Sequence, residues 1–147
     1  VSGTGLWKTL ETLPADQSVS LQEVLAQIPW NADGLIPAIA QQYDTKEVLM
    51  LAWMNAEALQ ETLAKGRVCY WSRSRQQLWR KGESSGQVQE LREARFDCDG
   101  DTLLLQVDQT GPACHTGRRD CFYNLVQGDR VVVDQPVLID PGTLYGK

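Results

Sequence analysis

The sequence is poor in the features that mark membrane, secreted and polyanion-binding proteins. Its longest apolar run, Val48 to Met54, is seven residues, far short of the ~20 that a membrane-spanning helix requires. No basic stretch followed by an apolar one opens the chain, so no secretory signal is read. The four cysteines are therefore expected as free thiols or metal ligands in a reducing, cytoplasmic compartment rather than as disulfides. Positive charge is not in excess either, and a net charge of −5 argues against a general nucleic-acid binder. There is no internal repeat and no low-complexity segment. Histidine occurs once, at His115.

What is present describes one globular domain. A chain of 147 residues can bury a real hydrophobic core, and 42% hydrophobic with 22% charged residues is ordinary for such a domain. The charge is uneven. Residues 65–95 hold eight Lys/Arg against three acids, inside a protein that is acidic elsewhere. Such a segment suits a small phosphorylated anion better than a long polyanion, although a solvated basic face is the commoner fate of a charge run.

The local patterns predict more strands than helices. Residues 1–30 read as an N-terminal extension, loose over 1–17. One short helix follows the capping box Ser20-Leu21-Gln22-Glu23, with Leu21, Val24, Leu25 and Ile28 at helical spacing. The domain proper spans 31–147. Ile36–Tyr43 and Glu47–Trp53 read as a hairpin across Asp44-Thr45-Lys46. Asn55 caps a second helix, Ala56 to Lys65, which Gly66 closes. Strands are expected at Val68–Trp71, Leu78–Lys81, Val88–Phe96 and Thr102–Gln109, with a last pair at Cys121–Val126 and Val131–Val133. The tail after Pro136 is unpatterned. The expected fold is a single antiparallel-rich α+β domain with two or so short helices.

The densest chemistry lies between Asp97 and Cys121, DCDGDTLLLQVDQTGPACHTGRRDC. If Asp97 to Asp101 is extended, alternation points Asp97, Asp99 and Asp101 to one side and Cys98 to the other. The carboxylates offer hard oxygens suited to magnesium, and the thiol a soft ligand that zinc prefers. Cys98, Cys114 and Cys121 follow a C-x15-C-x6-C spacing, which is no zinc-finger pattern. Three such ligands would leave one position open, the mark of a catalytic zinc. An EF-hand loop is excluded, because Thr102 stands where its glycine belongs and Asp108 where its glutamate belongs. Cys69 lies among aromatics and reads as a core thiol.

Several separate motifs then carry a resemblance. Trp71-Ser72-Arg73-Ser74-Arg75, Leu78-Trp79-Arg80-Lys81-Gly82-Glu83-Ser84-Ser85-Gly86, DCDGD at 97–101, GPACHTG at 111–117 and Glu47 to Leu59 occur in order. Together they closely resemble phosphoribosyl-AMP cyclohydrolase of histidine biosynthesis, in its monofunctional form, over residues 35 to 126. The resemblance implies hydrolytic opening of the adenine ring of N1-(5-phosphoribosyl)-AMP: water adds at C6 and the N1–C6 bond breaks. It implies zinc on Cys98, Cys114 and Cys121, and magnesium on Asp97, Asp99 and Asp101 facing a substrate phosphate. It also implies an intertwined homodimer, with Cys98 from one chain and the other two cysteines from its partner. His115, directly after Cys114, is assigned as general base or acid, since imidazole is the side chain that ordinarily titrates near neutrality. Arg73, Arg75, Arg80 and Lys81 are the candidate phosphate ligands, with Ser72, Ser84, Ser85 and the backbone at Gly86. Trp71 or Trp79 would stack on the purine, against the plainer reading of each as core. Arg118 and Arg119 are lesser phosphate candidates. Two rivals remain at this stage: a structural zinc module, and a phosphate-binding module without chemistry.

Overall fold

The structure, a computed structural model, describes residues 2–145. It is a mixed α+β fold built on a six-stranded sheet of order β4-β3-β2-β1-β6-β5. The strands are β1 Ile36–Gln42, β2 Val48–Met54, β3 Cys69–Ser72, β4 Gln77–Arg80, β5 Gln89–Phe96 and β6 Leu103–Gln109. Neighbours run antiparallel except β1 and β6, which pair in parallel from Ala38 opposite Leu103 to Gln42 opposite Val107.

Strict alternation in β1 buries Ile36, Ala38, Ala40 and Gln42 on one face. Leu103, Leu105 and Val107 of β6 and Leu49 and Met54 of β2 join the same core, together with Leu59 of α3 and Tyr70 of β3. The α3 helix, Ala56–Lys65, begins as expected: the Asn55 side chain accepts from the Ala58 N–H at 2.8 Å. It ends at Gly66, whose φ of 73° is the left-handed value favouring glycine. The α2 helix, Leu21–Ala26, is likewise capped by Ser20.

Two further helices extend the expected pair. The first 17 residues, expected to be loose, contain α1, Ser2–Glu11. What orders them is tertiary. Trp7 is 6% exposed, its ring centroid lies 5.5 Å from that of Phe96, and its Nε1–H donates to the Gln27 carbonyl at 2.9 Å. The tail after Pro136 holds α4, Pro141–Leu144, with Asp140 as N-cap and proline at the first turn.

The last strand pair, β7 Asn124–Gln127 and β8 Arg130–Val133, forms its own two-stranded sheet. All eight of its residues are exposed, Leu125, Val126, Val131, Val132 and Val133 among them. No helix among the described residues is long and apolar enough to cross a membrane.

Candidate active site

The Asp97–Asp101 segment is not extended. It is the turn of the β5–β6 hairpin, closed by the Asp97 N–H on the Thr102 carbonyl at 3.0 Å and the Gly100 N–H on the Asp97 carbonyl at 3.1 Å. Gly100 has φ 73°, which breaks the alternation the sequence suggested. The Asp97 carboxyl accepts from the Asp101 N–H at 3.1 Å and hydrogen-bonds the Asp101 carboxyl. That shared hydrogen bond, with partial burial and the nearby charge of Asp97, pushes Asp101 above the usual carboxylate range. Cys98 is exposed at the tip of the same turn, its Sγ 3.9 Å from an Asp99 carboxyl oxygen.

The other two cysteines stand elsewhere, on a loop folded against itself. The Ala113 N–H donates to Arg119 O at 2.9 Å, Cys114 N–H to Arg118 O at 3.1 Å, and Gly117 N–H to Cys114 O at 3.0 Å. The Cys121 N–H is fixed to Leu49 O at 2.8 Å. These bonds set the Cys114 and Cys121 thiols close enough to act on one another. Burial foremost, and then Cys114 beside it, push the Cys121 thiol up to about 12. Thr116 Oγ1 donates to Cys114 Sγ at 3.1 Å. Among the described residues no three Cys, His, Asp or Glu side chains of one chain form a metal-holding group. Two soft donors are thus assembled on the loop, and the third candidate is displayed on a separate hairpin.

The donor chemistry fits the two metals. The sulfur pair, Cys114 buried and Cys121 half-buried, is soft and suits zinc, while Asp97 and Asp101, two acids forced onto one another, suit a hard divalent cation.

Beside the cysteine loop is a cleft of about 330 Å3. Its walls are Arg75, strand β4, the turn from Lys81 to Ser85, His115 and Tyr145. Gly82 makes that turn with φ 85°, and any Cβ there would lie 2.5 Å from the Val88 nitrogen. The loop that follows β6 is held by buried glutamines: Gln109 Oε1 accepts from Gln89 Nε2 at 2.8 Å, and Gln109 Nε2 donates to Gln87 O at 3.1 Å.

Of the sequence-predicted ligands, Arg75, Arg80, Lys81, Ser84, Ser85 and His115 share this cleft. Arg80 already grips Glu61 with two hydrogen bonds, at 2.8 and 3.0 Å. Ser72 Oγ accepts from the Arg75 backbone N–H at 3.3 Å and so shapes the 72–75 turn. Arg73 stacks over Trp53 at 4.9 Å, and neither it nor Gly86 lines the cleft. Trp79, not Trp71, lines it, while Trp71 spans the sheet opposite Trp53 and Leu78. Lys81 is buried and donates to the Ala113 carbonyl. Arg119 is bound to Glu47 at 3.3 Å and to Gly111 O at 2.7 Å; Arg118 donates to Gln135 O at 3.0 Å. Both arginines fasten the loop. Cys69 is fully buried, and desolvation pushes its thiol up to about 11, as a core thiol requires.

Sequence reasoning missed Gln77, Leu78, Glu83 and Tyr145 as lining residues. For Tyr145 a signal existed, since Asp140-Pro141 is a helix start. Leu78 and Glu83 lie within the Leu78–Gly86 motif without being singled out there, and nothing local marks Gln77.

A family model described as phosphoribosyl-AMP cyclohydrolase matches residues 50–123. A protein of that name from Halorhodospira halophila is 68% identical over 136 residues, covering 92% of this chain and 96% of its own length. Another from Alkalilimnicola ehrlichii is 66% identical over 140 residues, covering 95% and 99%. A third, from Alcanivorax borkumensis, is 60% identical over 142 residues, covering 97% and 100%.

Proposed function

This chain belongs to the phosphoribosyl-AMP cyclohydrolase family, hydrolases acting on a cyclic amidine, and from that premise we propose the finer chemistry of its site. The reaction is hydrolysis of the N1–C6 bond of phosphoribosyl-AMP, in histidine biosynthesis. Cys114 and Cys121 of one chain, with Cys98 of a second copy, hold zinc, and the Asp97, Asp99 and Asp101 turn holds magnesium. The single observation carrying this reading is the split of the thiols: a buried Cys114 with a half-buried Cys121 on the loop beside the cleft, and an exposed Cys98 on a hairpin of its own. The exposed apolar β7–β8 hairpin supports a second copy, because such surface is ordinarily covered.

Bound zinc supplies the Lewis acidity that makes water a nucleophile near neutral pH. The chain's own groups do the remainder. Arg75 and the Ser84–Ser85 turn receive phosphate, where a guanidinium can engage two oxygens at once. Trp79 forms the apolar wall against which the purine lies. His115, exposed on the cleft rim next to Cys114, takes a proton from the attacking water. The ring bond then breaks and N1 accepts a proton, giving an aminoimidazole carboxamide with both ribosyl phosphates.

Turnover of phosphoribosyl-AMP, read as the change in absorbance when the purine opens, tests this. Activity is expected to vanish with a zinc chelator and to return when zinc and magnesium are restored. A folded, zinc-loaded protein that leaves the substrate intact would overturn the reading.

A further inference from the structure

Lys81 is buried in an unusual place. It follows β4, its residue is 8% exposed, and its ammonium donates to the Ala113 carbonyl, immediately before Cys114. The Trp79 ring is 5.5 Å away on another side. Among the described residues no carboxylate stands within ion-pair range of Lys81. Its Ala113 contact sets it next to Cys114, and the thiols of Cys121 and Cys114 are the groups that act on it electrostatically.

Burying an ammonium without a counter-charge is costly. One carbonyl answers only one of its three donors. Neutral thiols are weak acceptors, but a metal-bound cysteine is a thiolate and carries full negative charge. Three thiolates on a divalent ion leave one negative charge over, beside the buried Lys81 ammonium. A fixed cation there balances that charge.

We propose that Lys81 is the counter-cation of the Cys114–Cys121 metal half-site and the peg of its loop, a positioning residue rather than a phosphate ligand. This inference rests on the zinc reading above. Lys81 holds the ligand loop through Ala113, and it acts on the reaction only by keeping the zinc in place.

The test uses full-length protein loaded with zinc, and a chromophoric chelator that competes for it. Lys81→Met is expected to lose about ten- to a hundredfold in zinc affinity, the range found when outer partners of a metal site are removed. Lys81→Gln, which drops the charge but keeps a donor for Ala113, should lose as much, and Lys81→Arg should recover most of it. Melting curves with and without chelator separate charge from packing. The zinc-loaded Met variant should melt below the wild type, and the stripped variant at or above it, because an uncompensated ammonium has been removed. A peg alone would lower both curves equally, and that result would overturn the proposal. So would unchanged zinc affinity together with weakened protection by inorganic phosphate, which would make Lys81 a phosphate ligand. Wild-type protein that takes up no zinc at Cys114 and Cys121 would overturn the zinc reading itself, whatever the variants do.

Discussion

The indole of Trp7 packs so closely on Gly100 that any Cβ at position 100 would collide with its Cε2 atom. A helix from the start of the chain thereby rests on the turn that carries Cys98 and the three aspartates. Gly100 also holds φ 73°, a value side chains resist. Gly100→Ala therefore meets two obstacles at once, steric and conformational. It is expected to destabilise the fold by about 2 kcal/mol and to depress turnover further by shifting the turn. Denaturant unfolding measures the first and the absorbance assay the second. A variant as stable as the parent would show that α1 is not seated there.

The proposed sharing of the thiols between copies predicts complementation. Cys98→Ser and Cys114→Ser should each be inactive while keeping the fold. Mixed under conditions that let subunits exchange, they should regain turnover, since one site in the mixed dimer draws its intact cysteines from different chains. Persistent inactivity in a verified mixed dimer would sink the shared site.

The Asp97–Asp101 pair sets a pH dependence of unusual sign. Asp101 titrates above its ordinary value, chiefly through its hydrogen bond to Asp97, so the folded chain holds that proton more tightly than the unfolded one. Its contribution to stability is complete below the ordinary carboxylate range and is lost as pH rises through the raised value. At neutral pH the pair repels itself unless a cation intervenes. Metal-stripped Asp101→Asn should melt above the stripped parent at pH 7, and magnesium should raise its melting temperature less. An equal magnesium response in both would remove Asp101 from the ligand set.

Tyr145 lines the cleft together with His115, from a part of the chain that shows no strand or helix periodicity. Tyr145→Phe is expected to raise KM by about two- to tenfold, the worth of one hydrogen bond, with kcat little changed. Tyr145→Ala should add the loss of the ring. If neither variant moves KM, the substrate does not reach that wall.

The legible parts of this molecule are those fixed by neighbours in sequence. Asn55 and Gly66 delimit α3 because a cap satisfies backbone groups two or three residues away, and the β1–β2 hairpin follows from its turn. The alternation of Asp97, Asp99 and Asp101 misled because it presumes extended backbone, and Gly100 bends the chain instead. The α1 helix was hidden for a different reason: its order comes from Trp7 finding Phe96, far along the chain. Lys81 shows the same limit within the site. In sequence it is one of a basic cluster, and only the loop at Ala113, 32 residues away, turns it inward.

The parallel pairing of β1 with β6 has a kinetic consequence. Each wing of the sheet is local, a meander of β1 to β4 on one side and the β5–β6 hairpin on the other; this seam is the long ladder between them, beside a short contact of Gly66–Val68 with Gln89–Leu91. Its partners, such as Ala38 and Leu103, are distant in sequence, so their encounter must overcome the largest loop-closure entropy in the sheet. Refolding is therefore paced at the seam. The sheet that runs from the cleft residues on β4 to the aspartate turn on β5–β6 is complete only when it closes.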